Sequence, residues 1–391
     1  MKIGVIGVGT AGIMSLCHSL SWLCPDDKST VTSIYDPNQK ILGIGESMEP
    51  GFAKILFEGT GFRFLEDAAE LDATLKLGVS WKDWRKNDFT AVMGVPSYGI
   101  HFNNTKLKKF SFDRFATKWG KKFQTIEGNV TSLINASNNV TVTVNDVEYI
   151  FDYIIDCRGS PKDFTDYELV DIPTNHCLVY MINEPGNWNT TITQAHANGW
   201  MFGIPLSTRQ GWGYLYNDKI TSREDAVKDI ERIFDKTDLT LNEFTFKSYY
   251  AKKFIDGRII KNGNAAMFLE PLEALSGFVY EQILRYTVDY VEGKMPSDYV
   301  NQELIRTVID AKNFINFAYH GGSTFDTEFW NKTAPACFQN LNNDRWIQVF
   351  NTVQSMSNGT NSYKGDWKEI GSWSYHHWQE WDKHLGYNYF K

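Results

Sequence analysis

Lys2-Ile-Gly-Val-Ile-Gly-Val-Gly-Thr-Ala-Gly12 is the stretch whose reading decides the fold. Lys2 to Ile6 reads as a short buried strand, the glycines follow at once, and Ile13 to Leu23 has helical periodicity. Gly7 makes the tight turn, Gly9 lets the backbone approach a pyrophosphate, and Gly12 lets helix and strand pack closely. Thr10 and Ala11 open a helix whose N-terminus offers amide donors and a partial positive charge to phosphates. A second strand, Val31 to Tyr35, ends in Asp36, 24 residues beyond Gly12, where an acid grips the adenosine ribose hydroxyls. Strand, turn, helix and acid in this order predict a Rossmann-type α/β dinucleotide-binding domain.

Two later segments extend that reading. Asp156-Cys-Arg-Gly159 closes the apolar strand Tyr153 to Asp156, and Gly263-Asn-Ala-Ala266 opens another apolar stretch. Nucleotide-contact signals near residues 7, 157 and 264 imply one long split domain. We expect it to span 1–293, with a mixed β-sheet inserted at about 90–220 and a mainly helical part at 294–391. Strand patterns recur at 140–144, 148–155, 176–182 and 211–216, and helical periodicity at 224–235, 278–292 and 299–317.

Composition narrows the function. The net charge of −8 argues against nucleic-acid binding, which needs a basic footprint. Cysteines 17, 24, 157, 177 and 337 form no Cys-x-x-Cys pair, which fits reduced thiols and a cytoplasmic setting. No run of 18 apolar residues occurs, so no membrane span is expected. A strand beginning at Lys2 leaves no room for a signal peptide. Aromatic residues make up 15% of the chain, and packing is the expected use of most of them. His376-His377 has no further ligand at useful spacing, so no metal site is expected.

Glu273 stands out in Met267-Phe-Leu-Glu-Pro-Leu-Glu-Ala-Leu275. A carboxylate among these apolar residues is costly to desolvate unless it is paired or used. Alone, it could equally be a helix-start acid, and Glu270 fits that description as well.

The three nucleotide signals resemble the FAD-binding aromatic hydroxylase superfamily, in which an Asp stands where this chain has Asn264. No second G-x-G-x-x-G appears, so a separate NAD(P)H domain is not expected. Within that superfamily the chain resembles the flavin-dependent halogenases of the tryptophan halogenase family, and its compactness resembles phage-encoded members. Gly43-Ile-Gly-Glu-Ser-Met-Glu-Pro50 looks like the family's strap beside the flavin, which implies cofactor contacts at Glu46 and Ser47. Asp72-Ala-Thr-Leu-Lys76 looks like the segment carrying the active-site lysine. Gly199-Trp-Met-Phe-Gly-Ile-Pro205 approximates the Trp-x-Trp-x-Ile-Pro signature, with Trp200, Phe202, Ile204 and Pro205 at its positions. Leu269-Glu-Pro-Leu-Glu273 reproduces the stretch holding the active-site glutamate. His101 and Phe102 resemble a substrate-stacking pair, with a core pair as the competing reading.

The resemblance implies an enzyme that binds FAD, reduced by a separate flavin reductase, and uses oxygen and halide to make hypohalous acid. Lys76 relays this oxidant to a small electron-rich aromatic, and Glu273 assists the substitution. Two departures bear on this. Phe202 lacks the indole N–H of the second signature Trp. Ala274-Leu-Ser-Gly277 is one residue longer than the family's Ser-Thr-Gly stretch, so the implied halide site shifts to Ser276 and Gly277, and a larger halide (bromide or iodide) is the expectation. The chain is also shorter than usual in the substrate-covering C-terminal part. Homo-oligomers are compatible with the sequence. The competing functions are a single-component aromatic hydroxylase and a flavin-binding protein without catalysis.

Overall fold

Strand Lys2–Ile6 lies inside a six-stranded sheet, in the order Ile255–Asp256, Ile259–Lys261, Tyr153–Asp156, Lys2–Ile6, Thr30–Tyr35, Phe123–Glu127. All neighbours are parallel except the first pair. The computed structural model describes residues 1–391 except 25, 27, 42, 44, 45, 86, 94–96, 361–370 and 391. It divides into two compact units. One comprises Met1–Leu75, Tyr98–Leu169 and Tyr249–Ile305; the other Lys76–Ser97, Val170–Ser248 and Arg306–Lys391.

In the first unit, helix Thr10–His18 follows the glycine turn and continues as a π-helical turn, Ser19–Leu23. Every residue from Gly12 to His18 is buried. The antiparallel strands Val130–Asn135, Val140–Val144 and Val147–Phe151 form a second layer. The period-two pattern of the middle strand turns Val140, Val142 and Val144 into a core with Ile6, Ile34, Phe151 and Ile154. Three-stranded sheets join Tyr167–Leu169, Tyr249–Ala251 and Met267–Phe268, and separately Ser47–Met48, Gly99–His101 and Thr74–Lys76.

The second unit is built on a seven-stranded mixed sheet. Its order is Asn242–Thr245, His176–Ile182, Gln210–Tyr216, Gly199–Pro205, Thr191–His196, Gly78–Lys82, Phe89–Val92. Only Thr191–His196 and Gly78–Lys82 run parallel. Helix Arg223–Phe234 covers one face, placing Ala226 and Ile230 against Leu178, Met201, Tyr214 and Tyr216. The C-terminal part is helical, with Glu328–Asn340, Asp344–Ser357 and Tyr375–Leu385 after helix Ser297–Tyr319.

The aromatics are spent mainly on this packing. Trp84 lies with ring centroids 5.0–6.1 Å from Trp81, Trp200, Tyr319 and Trp330. Phe314 stacks on Trp373 at 4.8 Å and touches Trp381 at 4.4 Å, so the aromatic tail docks on its own unit. Trp367, part of that tail in sequence, lies outside the described residues. His376 and His377 are exposed on the last helix.

Candidate functional site

The glycine turn has the form its spacing requires. Gly7 adopts φ +101°, and a Cβ there would meet the Cys157 carbonyl at 2.5 Å. A Cβ on Gly12 would meet the Gly7 carbonyl at 2.1 Å, whereas one on Gly9 would meet nothing within 4 Å. Gly9 is the N-cap of the helix and has no side chain of its own to place on the first-turn amides. Asp36 follows the adjacent strand, half-exposed, with one carboxylate oxygen accepting the Asn38 N–H.

The other two nucleotide signals converge on this turn. Cys157 N–H donates to the Ile6 carbonyl, and Asn262 N–H to the Asp156 carbonyl. A Cβ on Gly263 would approach Ala11 Cβ to 2.5 Å. Sequence reasoning missed the fully buried Asn262, whose Nδ2 donates to Ser15 Oγ at 3.1 Å and whose Oδ1 accepts the Gly263 N–H at 2.8 Å. Its place directly before Gly263-Asn-Ala-Ala266 was the available signal. All these groups sit at the C-terminal ends of parallel strands, where open α/β sheets bind ligands. Open space over Gly9 at a helix N-terminus and an acid at the ribose position together fit a dinucleotide such as FAD.

The strap is only partly visible, since Ile44 and Gly45 lie outside the described residues. Glu46 is 2% exposed, and its Oε1 accepts the Asn104 N–H at 3.1 Å, at the start of helix Asn104–Trp119. That carboxylate therefore caps a helix, which favours negative charge at that end. Ser47 is buried and pairs with His101 across the small sheet. His101 and Phe102 are both fully buried; His101 Nδ1 lies 3.1 Å from Thr74 Oγ1 and Phe102 stacks on Phe52 at 5.0 Å. These are the contacts of a core pair.

Lys76 ends strand Thr74–Lys76 and is fully buried, not the solvated strand lysine it would be by default. Asp72 starts this segment in the left-handed region at φ 50°, held by Lys106 Nζ at 2.7 Å and Asn103 Nδ2 at 3.0 Å.

Around Glu273 the two carboxylates of the apolar run differ in burial. The fully buried carboxylate is Glu270, and Glu273 is only partly buried. The reason is local: Glu273 (φ 56°) and Ala274 (φ 56°) both adopt the left-handed conformation. This reversal turns Leu272 and Leu275 inward and leaves 273–274 less covered. Such a conformation costs a non-glycine residue roughly 1–2 kcal/mol, and it recurs at functional sites. Helix Leu275–Val291 begins at once, with Ala274 as N-cap, so the amides of Leu275, Ser276 and Gly277 form its first turn.

Strand Gly199–Pro205 is buried throughout. Trp200 and Phe202 share a face, with centroids 6.5 Å apart. The Trp84 and Trp200 indole N–H groups are buried without an acceptor among the described residues.

The glycine turn, the two later nucleotide segments and the mixed second sheet make up a fold shared with solved flavin-dependent halogenases, one of them from Xanthomonas campestris. The tryptophan halogenase family model matches residues 2–127 and 85–371, and the chain belongs to that family. It is 23% identical to tryptophan 7-halogenase KtzQ of Kutzneria sp. (strain 744) and 21% identical to tryptophan 7-halogenase RebH of Lentzea aerocolonigenes. Each alignment covers 84% of this chain and 78% of the relative. The crystal structure of tryptophan halogenase from Shewanella frigidimarina superposes with a TM-score of 0.79 at 18% identity, over 98% of this chain and 88% of that one. Among the described residues no helix is long and apolar enough to cross a membrane.

Proposed function

We propose that this halogenase acts on an electron-rich aromatic, with Lys76 and Glu273 as its catalytic pair and reduced FAD delivered by a separate reductase. The observation that carries the proposal is the complete burial of Lys76, in a segment that resembles the family's lysine motif. A lysine is costly to bury without a task or a partner.

The glycine turn, Asp36 and the segment at 262–264 would hold the cofactor, and Gly43–Pro50 would lie beside it. When bound and reduced, the flavin supplies, with oxygen, the oxidation of halide to hypohalous acid. The first-turn amides at Ser276 and Gly277 would hold the halide. Lys76 holds the hypohalous acid by a hydrogen bond from its ammonium, or carries the halogen on its amine. Arg could not replace it, because guanidinium stays protonated and presents a fixed fork of donors. Glu273 stabilises the cationic ring of the substrate and takes its proton.

The test supplies purified protein with reduced FAD, oxygen and each of chloride, bromide and iodide against an indole and phenol panel, read by mass spectrometry. Halogenated product, with bromide or iodide preferred, is the expected result. Oxygenated product with NADPH oxidation by the protein alone would instead mark a single-component hydroxylase, and no product a flavin-binding protein without catalysis. A strong chloride preference would overturn the larger-halide reading.

A further inference from the structure

The turn at Gly263–Ala265 is held by three tyrosines that the proposed chemistry does not use. Tyr280 Oη donates to Asn264 Oδ1 at 2.7 Å, Tyr249 Oη to the Asn264 carbonyl at 2.7 Å, and Tyr167 Oη to the Ala265 carbonyl at 2.8 Å. Burial raises all three phenols, Tyr249 and Tyr167 to about 12, so each stays a protonated donor at neutral pH. A carboxamide has one acceptor oxygen and one donor nitrogen. With Oδ1 turned toward the Tyr280 hydroxyl, the opposite edge of the Asn264 carboxamide is its NH2 group, on a residue only partly buried.

An aspartate at this position would present oxygens, which accept from ribityl hydroxyls but repel phosphate. A fixed NH2 group reverses that polarity and suits a group that only accepts. The residue directly before Asn264, Gly263, abuts Ala11 in the phosphate-binding turn, where a Cβ would approach Ala11 Cβ to 2.5 Å. We propose that Tyr280 is a positioning residue that fixes the Asn264 carboxamide as a hydrogen-bond donor to the pyrophosphate of the bound cofactor. This rests on the FAD reading above.

The test is a double-mutant cycle on binding, not activity. FAD and ADP are each titrated into wild type, Asn264→Ala, Tyr280→Phe and the double variant. Asn264→Ala should weaken both ligands about tenfold, the range for a hydrogen bond to a charged group. Tyr280→Phe should weaken both by a smaller factor, and the double variant should bind no worse than Asn264→Ala. Asn264→Asp, which keeps the Tyr280 bond, should bind both ligands more weakly than Asn264→Ala. A merely structural Tyr280 would give additive losses, and additivity overturns the proposal. Loss with FAD but none with ADP also overturns it, because the contact would then be to the ribityl chain. A wild-type protein that binds ADP but not FAD refutes the flavin reading instead, a result separable from either outcome.

Discussion

Met48 of the strap lies against Gly277 at the start of helix Leu275–Val291: a Cβ on Gly277 would stand 2.8 Å from both Met48 Cε and Sδ. Gly277 therefore lets the strap close over the helix turn proposed to hold halide. Gly277→Ala should displace the flexible end of Met48, with a stability loss below about 1 kcal/mol because methionine repacks readily. FAD affinity should fall a few-fold, measured by fluorescence titration; unchanged affinity would show that the strap does not need this contact.

Lys76→Met keeps the burial and removes the charge and the amine. Halogenation should fall on the order of a thousandfold, within the range of a lost proton-handling group, while FAD still binds. Retained halogenation by the purified variant would remove Lys76 from the mechanism.

Ala274 adopts φ 56° without being glycine. Ala274→Gly should relieve that strain and raise stability by about 0.5–1 kcal/mol, since glycine's greater freedom in the unfolded chain offsets part of the gain. The urea midpoint reads this directly, and a lower midpoint would mean the conformation is not strained as inferred.

In the second unit, Arg345 holds Asp310 in two parallel hydrogen bonds, Nε to Oδ1 at 2.6 Å and Nη2 to Oδ2 at 2.9 Å. The pair ties helix Ser297–Tyr319 to helix Asp344–Ser357, and the Asp310 side chain is 3% exposed. Burial raises the Asp310 carboxyl, against the pull of Arg345. Arg345→Met leaves that charge buried without its bidentate partner and should cost about 3–5 kcal/mol in chemical denaturation. Asp310→Asn in the same background should recover part of the loss.

His18, His196 and His320 are each pushed down from 6.5 to about 4, chiefly by burial. The folded chain then binds fewer protons than the unfolded chain between about pH 4 and 6.5. Stability therefore rises with pH through this window, is complete above it, and is lost as pH falls. Each histidine contributes at most about 3 kcal/mol, at about 1.4 kcal/mol per pH unit. Denaturation midpoints at pH 7, 6, 5 and 4.5 should fall steadily, and His196→Gln should flatten the slope.

The local elements were legible because they depend on neighbours in sequence. The glycine turn, the alternating valines of 140–144 and the helices near 224–235 and 299–317 each carry their own periodicity. Burial was not legible. The sequence presents Glu270 and Glu273 as two acids in one apolar run, and only the paired left-handed residues at 273 and 274 decide which carboxylate is fully buried. The polarity of Asn264 was likewise hidden, because it is set by a phenol 16 residues away on another element. By itself the sequence determined the class of fold and the order of its nucleotide-binding segments, both consequences of residue type and short spacing, and through resemblance it pointed to the family. The tertiary structure decided which groups lose water and which atom of each side chain remains available, because desolvation and hydrogen-bond direction arise only when distant segments pack.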